Sequence, residues 1–249
     1  MTDRWQPNRS RGVFETLLVV DGEPVELDAH LERFARSLED VYSQSLPPQL
    51  ADKMREAAAE TPLGRLRCTL APVEDGLRLD LLAGGVESEA VFPELGVHLR
   101  PREIAGGLGP HKWAHRPGIN RPAAGEAGAL IVDEGEVLEA GWANVFVVHK
   151  GALFTPPLDG RILPGVTRAE VIRLARGQAI EVRERPVGLQ QLHEAEEVFL
   201  TNSIRGVEAV DSIEEKALGA PGRVSAALRD RLRTIWGLTP TPALPAPRP

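Results

Sequence analysis

The stretch from Glu139 to Arg168, E-A-G-W-A-N-V-F-V-V-H-K-G-A-L-F-T-P-P-L-D-G-R-I-L-P-G-V-T-R, constrains the fold more than any other part of the chain. The apolar run Val145 to Val148 predicts a buried strand, His149-Lys150-Gly151 a hairpin turn, and Ala152 to Thr155 the return strand. A loop punctuated by proline and glycine leads into a helix, because Val171, Ile172, Leu174 and Ala175 fall on one helical face after Pro164 and Gly165. Val166 and Thr167 then occupy a first helical turn whose amides have no partner within the helix. Such amides, the helix dipole and the Thr167 hydroxyl together make a cradle for a phosphate. An ordinary helix start after a proline turn accounts for the same residues, and both readings stand at this point.

Upstream, V-F-E-T-L-L-V-V at 13–20 reads as a strand, and Asp21-Gly22 as a hairpin turn into a short second strand. Asp28 is placed as the N-cap of a helix with Leu31, Phe34, Leu38 and Val41 on one face, ended by Pro47-Pro48. A second amphipathic helix is expected from about Gln49 to Glu60. Two strands follow within 65–83 around Glu74-Asp75-Gly76, and another at Gly96 to Pro101. Downstream of the opening stretch, a strand is expected near 180–187, a turn-rich segment around Leu189 and Leu192, a strand near Val198 and a helix from about Arg223 to Trp236. The fold class is α+β. The organisation read from composition is an N-terminal subdomain over 1–105, a Gly/Pro-rich connection over 106–128, a larger subdomain over 129–238, and a proline-rich tail over 239–249.

Composition narrows the function classes. A hydrophobic share of 42% and a charged share of 26% over 249 residues suit a soluble globular chain. No apolar run approaches the roughly 20 residues needed to cross a bilayer, and M-T-D-R-W-Q-P-N-R lacks the apolar core of a secretory leader. The single cysteine, Cys68, cannot pair internally, so a reducing cytoplasmic setting is expected. A net charge of −7 without a basic patch argues against nucleic-acid and membrane partners. The histidines are scattered and give no metal-ligand spacing. Among the four lysines, Lys53, Lys112, Lys150 and Lys216, only Lys112 sits in a setting, G-L-G-P-H-K-W, that could desolvate the amine and free it for Schiff-base chemistry. A surface lysine in a loop is the competing reading.

Six segments, taken together and in order, resemble the class IV (fold type IV) pyridoxal-phosphate enzymes. They are V-F-E-T, H-L-E-R at 30–33, K-W-A-H-R at 112–116, E-A-G-W-A-N-V-F at 139–146, T-P-P-L-D-G-R-I-L-P-G-V-T-R at 155–168 and E-V-F-L-T-N-S-I-R-G-V-E-A-V at 197–210. That group includes branched-chain and D-amino acid aminotransferases and 4-amino-4-deoxychorismate lyases, and the forms in this chain look most like the lyase branch. The resemblance implies a small α/β N-terminal subdomain beside a larger one with a β-barrel-like core, pyridoxal 5'-phosphate as cofactor, and a homodimer. It makes Lys112 the Schiff-base lysine and general acid/base, and Glu139 the partner of the pyridine nitrogen. Arg33, Val166, Thr167 and Ser203 become the phosphate cup, with Asn144 and Trp142 beside it. Arg67, Arg116 and Arg205 become candidate anchors for substrate carboxylates. The implied substrate is a small molecule, an amino acid or aminodeoxychorismate. The chain departs from the family pattern at Pro117, Gly118 and Pro122, where relatives run a helix, and at Asn202, where glycine is common.

Overall fold

The computed structural model describes residues 5–123, 125–218 and 222–238, so the proline-rich tail expected at 239–249 lies outside the described residues. The first half builds a four-stranded antiparallel sheet in the order β2-β1-β3-β4. Its strands are β1 (Val13–Val20), β2 (Glu23–Pro24), β3 (Leu63–Val73) and β4 (Gly76–Gly85), with helices α1 (Leu27–Tyr42) and α2 (Leu50–Ala58) between β2 and β3. Strand alternation makes one face of this sheet helix-covered: Val13, Leu17 and Val19 pack on Phe34, Leu38 and Met54. Asp21 and Gly22 adopt the positive φ values of a tight hairpin turn. The helix expected to be capped by Asp28 starts earlier, with left-handed Glu26 at the cap position and Asp28 inside the first turn. An acidic residue there is favoured by the helix dipole as well as by capping, and spacing alone does not separate the two.

The second half closes into a barrel. Its strands are β5 (Val97–Glu103), β6 (Ala127–Asp133), β7 (Glu136–Ala140), β8 (Ala143–His149), β9 (Ala152–Thr155), β10 (Val182–Glu184), β11 (Val187–Gly188), β12 (Glu197–Asn202), β13 (Gly206–Ile213) and β14 (Lys216–Ala217). The pairing order β8-β12-β13-β5-β6-β7 returns to β8, giving a closed six-stranded barrel. Three helices accompany it: α3 (Val166–Gly177), α4 (Leu189–His193) and α5 (Arg223–Ile235). The barrel interior holds Leu99, Leu130, Val145, Val147 and Leu200, while Phe146, Val148 and Phe199 on its outer face pack against Val171, Ile172, Leu228 and Leu232 of α3 and α5. Buried Glu197 accepts the amides of Val224 and Ser225 and so caps α5 from a neighbouring strand.

Two expectations change. β5, grouped by composition with the first subdomain, lies in the barrel, parallel to both β13 and β6. Parallel pairing joins residues far apart in sequence and leaves no local signature. The turn-rich segment at Leu189 and Leu192 is the single helical turn α4, closed over the buried Leu192. Among the described residues, no helix is long and apolar enough to cross a membrane.

Candidate active site

The site lies on the outer face of the barrel. Glu139 of β7 is paired with Asn144 of β8, and Asn144 with Thr201 of β12, so three polar side chains stand in one row where the next row carries Phe146 and Phe199. The orientation of Glu139 depends on a bulge. Ile131 pairs with Glu139 and Val132 with Val137, which leaves Leu138 as the extra residue and turns Glu139 outward.

Against this row sits the loop from Arg161 to Gly165, whose backbone bonds to Glu139, Asn144 and Arg33. The Leu163 amide donates to Glu139 Oε2 at 3.3 Å, and Asn144 Nδ2 donates to the Leu163 carbonyl at 2.9 Å. Gly165 has an ordinary φ of −65°, yet a Cβ there would lie 2.0 Å from Asn144 Oδ1, so close approach is what requires glycine. No side chain caps α3, so the amides of its first turn are left for another acceptor. Beside them the hydroxyls of Thr167 and Ser203 stand 3.5 Å apart.

The small sheet supplies the opposite wall. Arg33, 3% exposed, reaches from α1 to donate to the Pro164 carbonyl at 3.1 Å. Its other edge forms a two-pronged contact with Glu15, Nε to Oε1 at 2.8 Å and Nη2 to Oε2 at 2.6 Å. His30 Nδ1 meets the same Glu15 Oε2 at 2.7 Å. Burial works against the Glu15 carboxylate, but the Arg33 charge and the His30 contacts outweigh it and hold the group well below the usual carboxylate range. Glu15 interrupts the apolar alternation of Val13 and Leu17, and that interruption is the sequence signal for a buried charged partner.

Lys112 is pinned between the two walls. Phe14 N donates to the Lys112 carbonyl at 2.8 Å, Ala114 N donates to the Gly12 carbonyl at 2.9 Å, and Val13 forms a bridge with Trp113. The lysine Nζ lies 5.0 Å from the centre of the Phe14 ring. Burial, followed by the like charges of Arg33 and Arg116, pushes the amine down to about 7, with Glu15 and Glu139 pulling the other way. Burial likewise pushes Glu139 up to about 7, against the charge of Arg116, the Leu163 amide and Lys112. Glu139 Oε1 is buried with no hydrogen-bond partner among the described residues.

One cleft therefore gathers Arg33, Lys112, Arg116, Glu139, Asn144 and Trp142 together with Val166, Thr167 and Ser203. Gly165, Thr201 and Asn202, which sequence reading did not select as site residues, line it too. Arg116 donates to the Gly141 carbonyl. Arg67 lines an adjoining open depression with Arg78 and His115, and its guanidinium lies 3.7 Å from the centre of the Phe14 ring. Arg205 is not brought to this cleft: it pairs with Glu208 at 2.7 Å, as does Arg121 at 2.9 Å, and lines a different depression.

A family model described as amino-transferase class IV matches residues 12–91 and 120–213. The chain belongs to the class IV aminotransferase family. Members of this family depend on pyridoxal 5'-phosphate. A curated relative from Thermotoga maritima, named "Probable branched-chain-amino-acid aminotransferase", is 44% identical over 103 residues, which is 41% of this chain and 38% of the relative. The matched stretch thus spans about two fifths of that relative's length. Among solved structures, the 4-amino-4-deoxychorismate lyase from Pseudomonas aeruginosa is 25% identical with a TM-score of 0.72, covering 90% of this chain and 91% of that one. A hypothetical aminotransferase from Mycobacterium tuberculosis, solved with α-ketoglutarate and PMP bound, has a TM-score of 0.81 at 22% identity, covering 92% and 89%. The fold is that of the fold type IV pyridoxal-phosphate enzymes. The class IV site in this chain also fits the cofactor chemically. A lone acceptor at Glu139, an amine with a lowered proton affinity and a run of free amides at a helix start match a protonated pyridine nitrogen, an aldehyde and a phosphate.

Proposed function

We propose that this chain is a pyridoxal-phosphate lyase that converts 4-amino-4-deoxychorismate into 4-aminobenzoate and pyruvate, working as a cytoplasmic homodimer. The observation that carries the cofactor part of this reading is the facing pair of Lys112 and Glu139 in a cleft that ends at the start of α3. When bound, the cofactor supplies an electron sink conjugated to the substrate amine. The chain's own residues do the rest. Lys112, its amine drawn down to about 7 and so able both to accept and to give a proton, takes the proton from the nitrogen-bearing carbon and returns one to the departing enolpyruvyl fragment. Glu139, whose buried Oε1 is free to accept, would hold the pyridine nitrogen in its protonated form and so keep the ring electron-poor. Arg33, the amides of Val166 and Thr167, and the Thr167 and Ser203 hydroxyls hold the phosphate.

The lyase reading is supported by unpaired positive charge on the substrate side. Arg67 has no ion-pair partner among the described residues, and burial together with Arg65 and Arg116 pushes its guanidinium down. An aminodeoxychorismate, with two carboxylates, offers Arg67 the counter-charge it lacks and Arg116 one besides Glu139, and Arg205 would serve only after leaving Glu208. The likeness to the Thermotoga relative favours a second reading, an aminotransferase acting on branched-chain or D-amino acids. One experiment separates them. Pyruvate released from aminodeoxychorismate with no added oxo acid is the expected result. Conversion of bound cofactor to its pyridoxamine form by an amino acid alone, with no pyruvate from aminodeoxychorismate, overturns the lyase in favour of the transaminase. Light scattering at working concentration should give twice the chain mass, and a fully active monomer would remove the dimer.

A further inference from the structure

Behind Lys112 lies a second, narrow cavity that the roles above leave unassigned. Lys112, Arg116, Glu139 and Leu163 form its inner side, and Leu108 and His111 its floor and flank. Gly109 and Trp113 line it too, and it is completed by Trp5, contributed by the segment before β1 and outside both stretches that match the family model. The indole rests on the apolar cluster of Ile104, Leu108, Ile131, Leu138 and Ile162, which also backs the Glu139 bulge and the 161–165 loop. Trp5 is half-buried and lines the same cavity as Lys112 and Glu139. Its Nε1 is buried without an acceptor among the described residues.

We propose that Trp5 is an active-site wall: it closes the chamber behind Lys112 and keeps water away from the Lys112–Glu139 pair and the cofactor they hold. This rests on the pyridoxal-phosphate reading. The shielding comes from the area of the ring, and the N–H adds a contact. A phenyl ring in the same place therefore preserves most of the effect, and a methyl group abolishes it.

The test uses full-length protein loaded with pyridoxal 5'-phosphate and follows loss of its visible band to hydroxylamine, with apoprotein melting measured in parallel. Trp5→Ala is expected to lose the band at least about five-fold faster than the parent, and Trp5→Phe within about two-fold of it, because only the former admits water. The pH midpoint of the band should also move in Trp5→Ala toward that of a solvated lysine adduct. If Trp5→Ala melts lower but matches the parent in both hydroxylamine rate and pH midpoint, Trp5 is packing only and the inference is wrong. Should Trp5→Ala retain no cofactor, Trp5→Leu is read by the same criteria. A parent protein that forms no visible band at all overturns the cofactor reading itself, a different failure from an unchanged variant.

Discussion

At the scale of single residues, the site stores two opposed ionisation costs. Lys112 and Glu139 are both drawn to about 7, the amine downward and the carboxylate upward, chiefly because each loses water. For Glu139 the sign is clear: its folded value lies above the unfolded one, so the carboxyl costs nothing below about pH 4.5, where it is neutral in both states. The cost grows as pH rises toward 7 and is complete above it. Glu139→Gln keeps an acceptor for the Leu163 amide and removes the charge. Its apoprotein should be more stable than the parent above pH 7, by on the order of 1–3 kcal/mol, and equal to it near pH 4. Urea denaturation at the two pH values measures this; a variant less stable than the parent at alkaline pH would contradict the assignment. The same variant should hold the cofactor more weakly, since the amide is a poorer partner for a pyridine N–H.

At the scale of elements, the loop from Arg161 to Gly165 is the hub. It is fastened at one end by Arg161, which pairs with Asp159 and Glu136. Its successive backbone groups then meet Gly109, Glu139, Asn144 and Arg33 before α3 begins. Gly165 is the tight point. Gly165→Ala introduces no backbone strain, but its methyl group must displace Asn144, and overpacking of this kind costs about 1–3 kcal/mol. Cofactor affinity by absorbance titration should fall about tenfold or more, at roughly 1.4 kcal/mol per decade. In an Asn144→Ala background the same change should add no further loss, because the obstructing oxygen is gone. An unaffected Gly165→Ala single variant would show that the loop yields freely.

At the scale of the whole molecule, the cleft is held by two units that share it. Arg33 comes from α1 beside the small sheet, Glu139, Asn144 and Thr167 from the barrel side, and the segment at Lys112 is hydrogen bonded to β1 through Phe14 N. A ligand that binds across both stabilises both. Pyridoxal 5'-phosphate at about 100 times its Kd should add about 3 kcal/mol to unfolding of the whole chain. Hydrogen exchange should slow at the Phe14 and Ala114 amides as well as along β7 and β8. Protection confined to the barrel would mean that the small sheet takes no part in binding.

Local sequence determined much of this. The hairpins at Asp21-Gly22 and Lys150-Gly151 were legible because both residues of each turn must adopt positive φ. The start of α3 was legible from Pro164 and Gly165, and the strands of the opening stretch from their period. Family resemblance, rather than spacing, is what joined Lys112 to Glu139 and Arg33. Tertiary structure alone decided three things: the parallel pairing that puts β5 in the barrel, the bulge at Leu138 that turns Glu139 outward, and the burial of Glu15 and His30 behind Arg33. The physical reason is range. Turns and helix starts are set by the dihedral preferences of two or three neighbouring residues, whereas burial, charge pairing and strand order depend on which distant segments arrive at the same place.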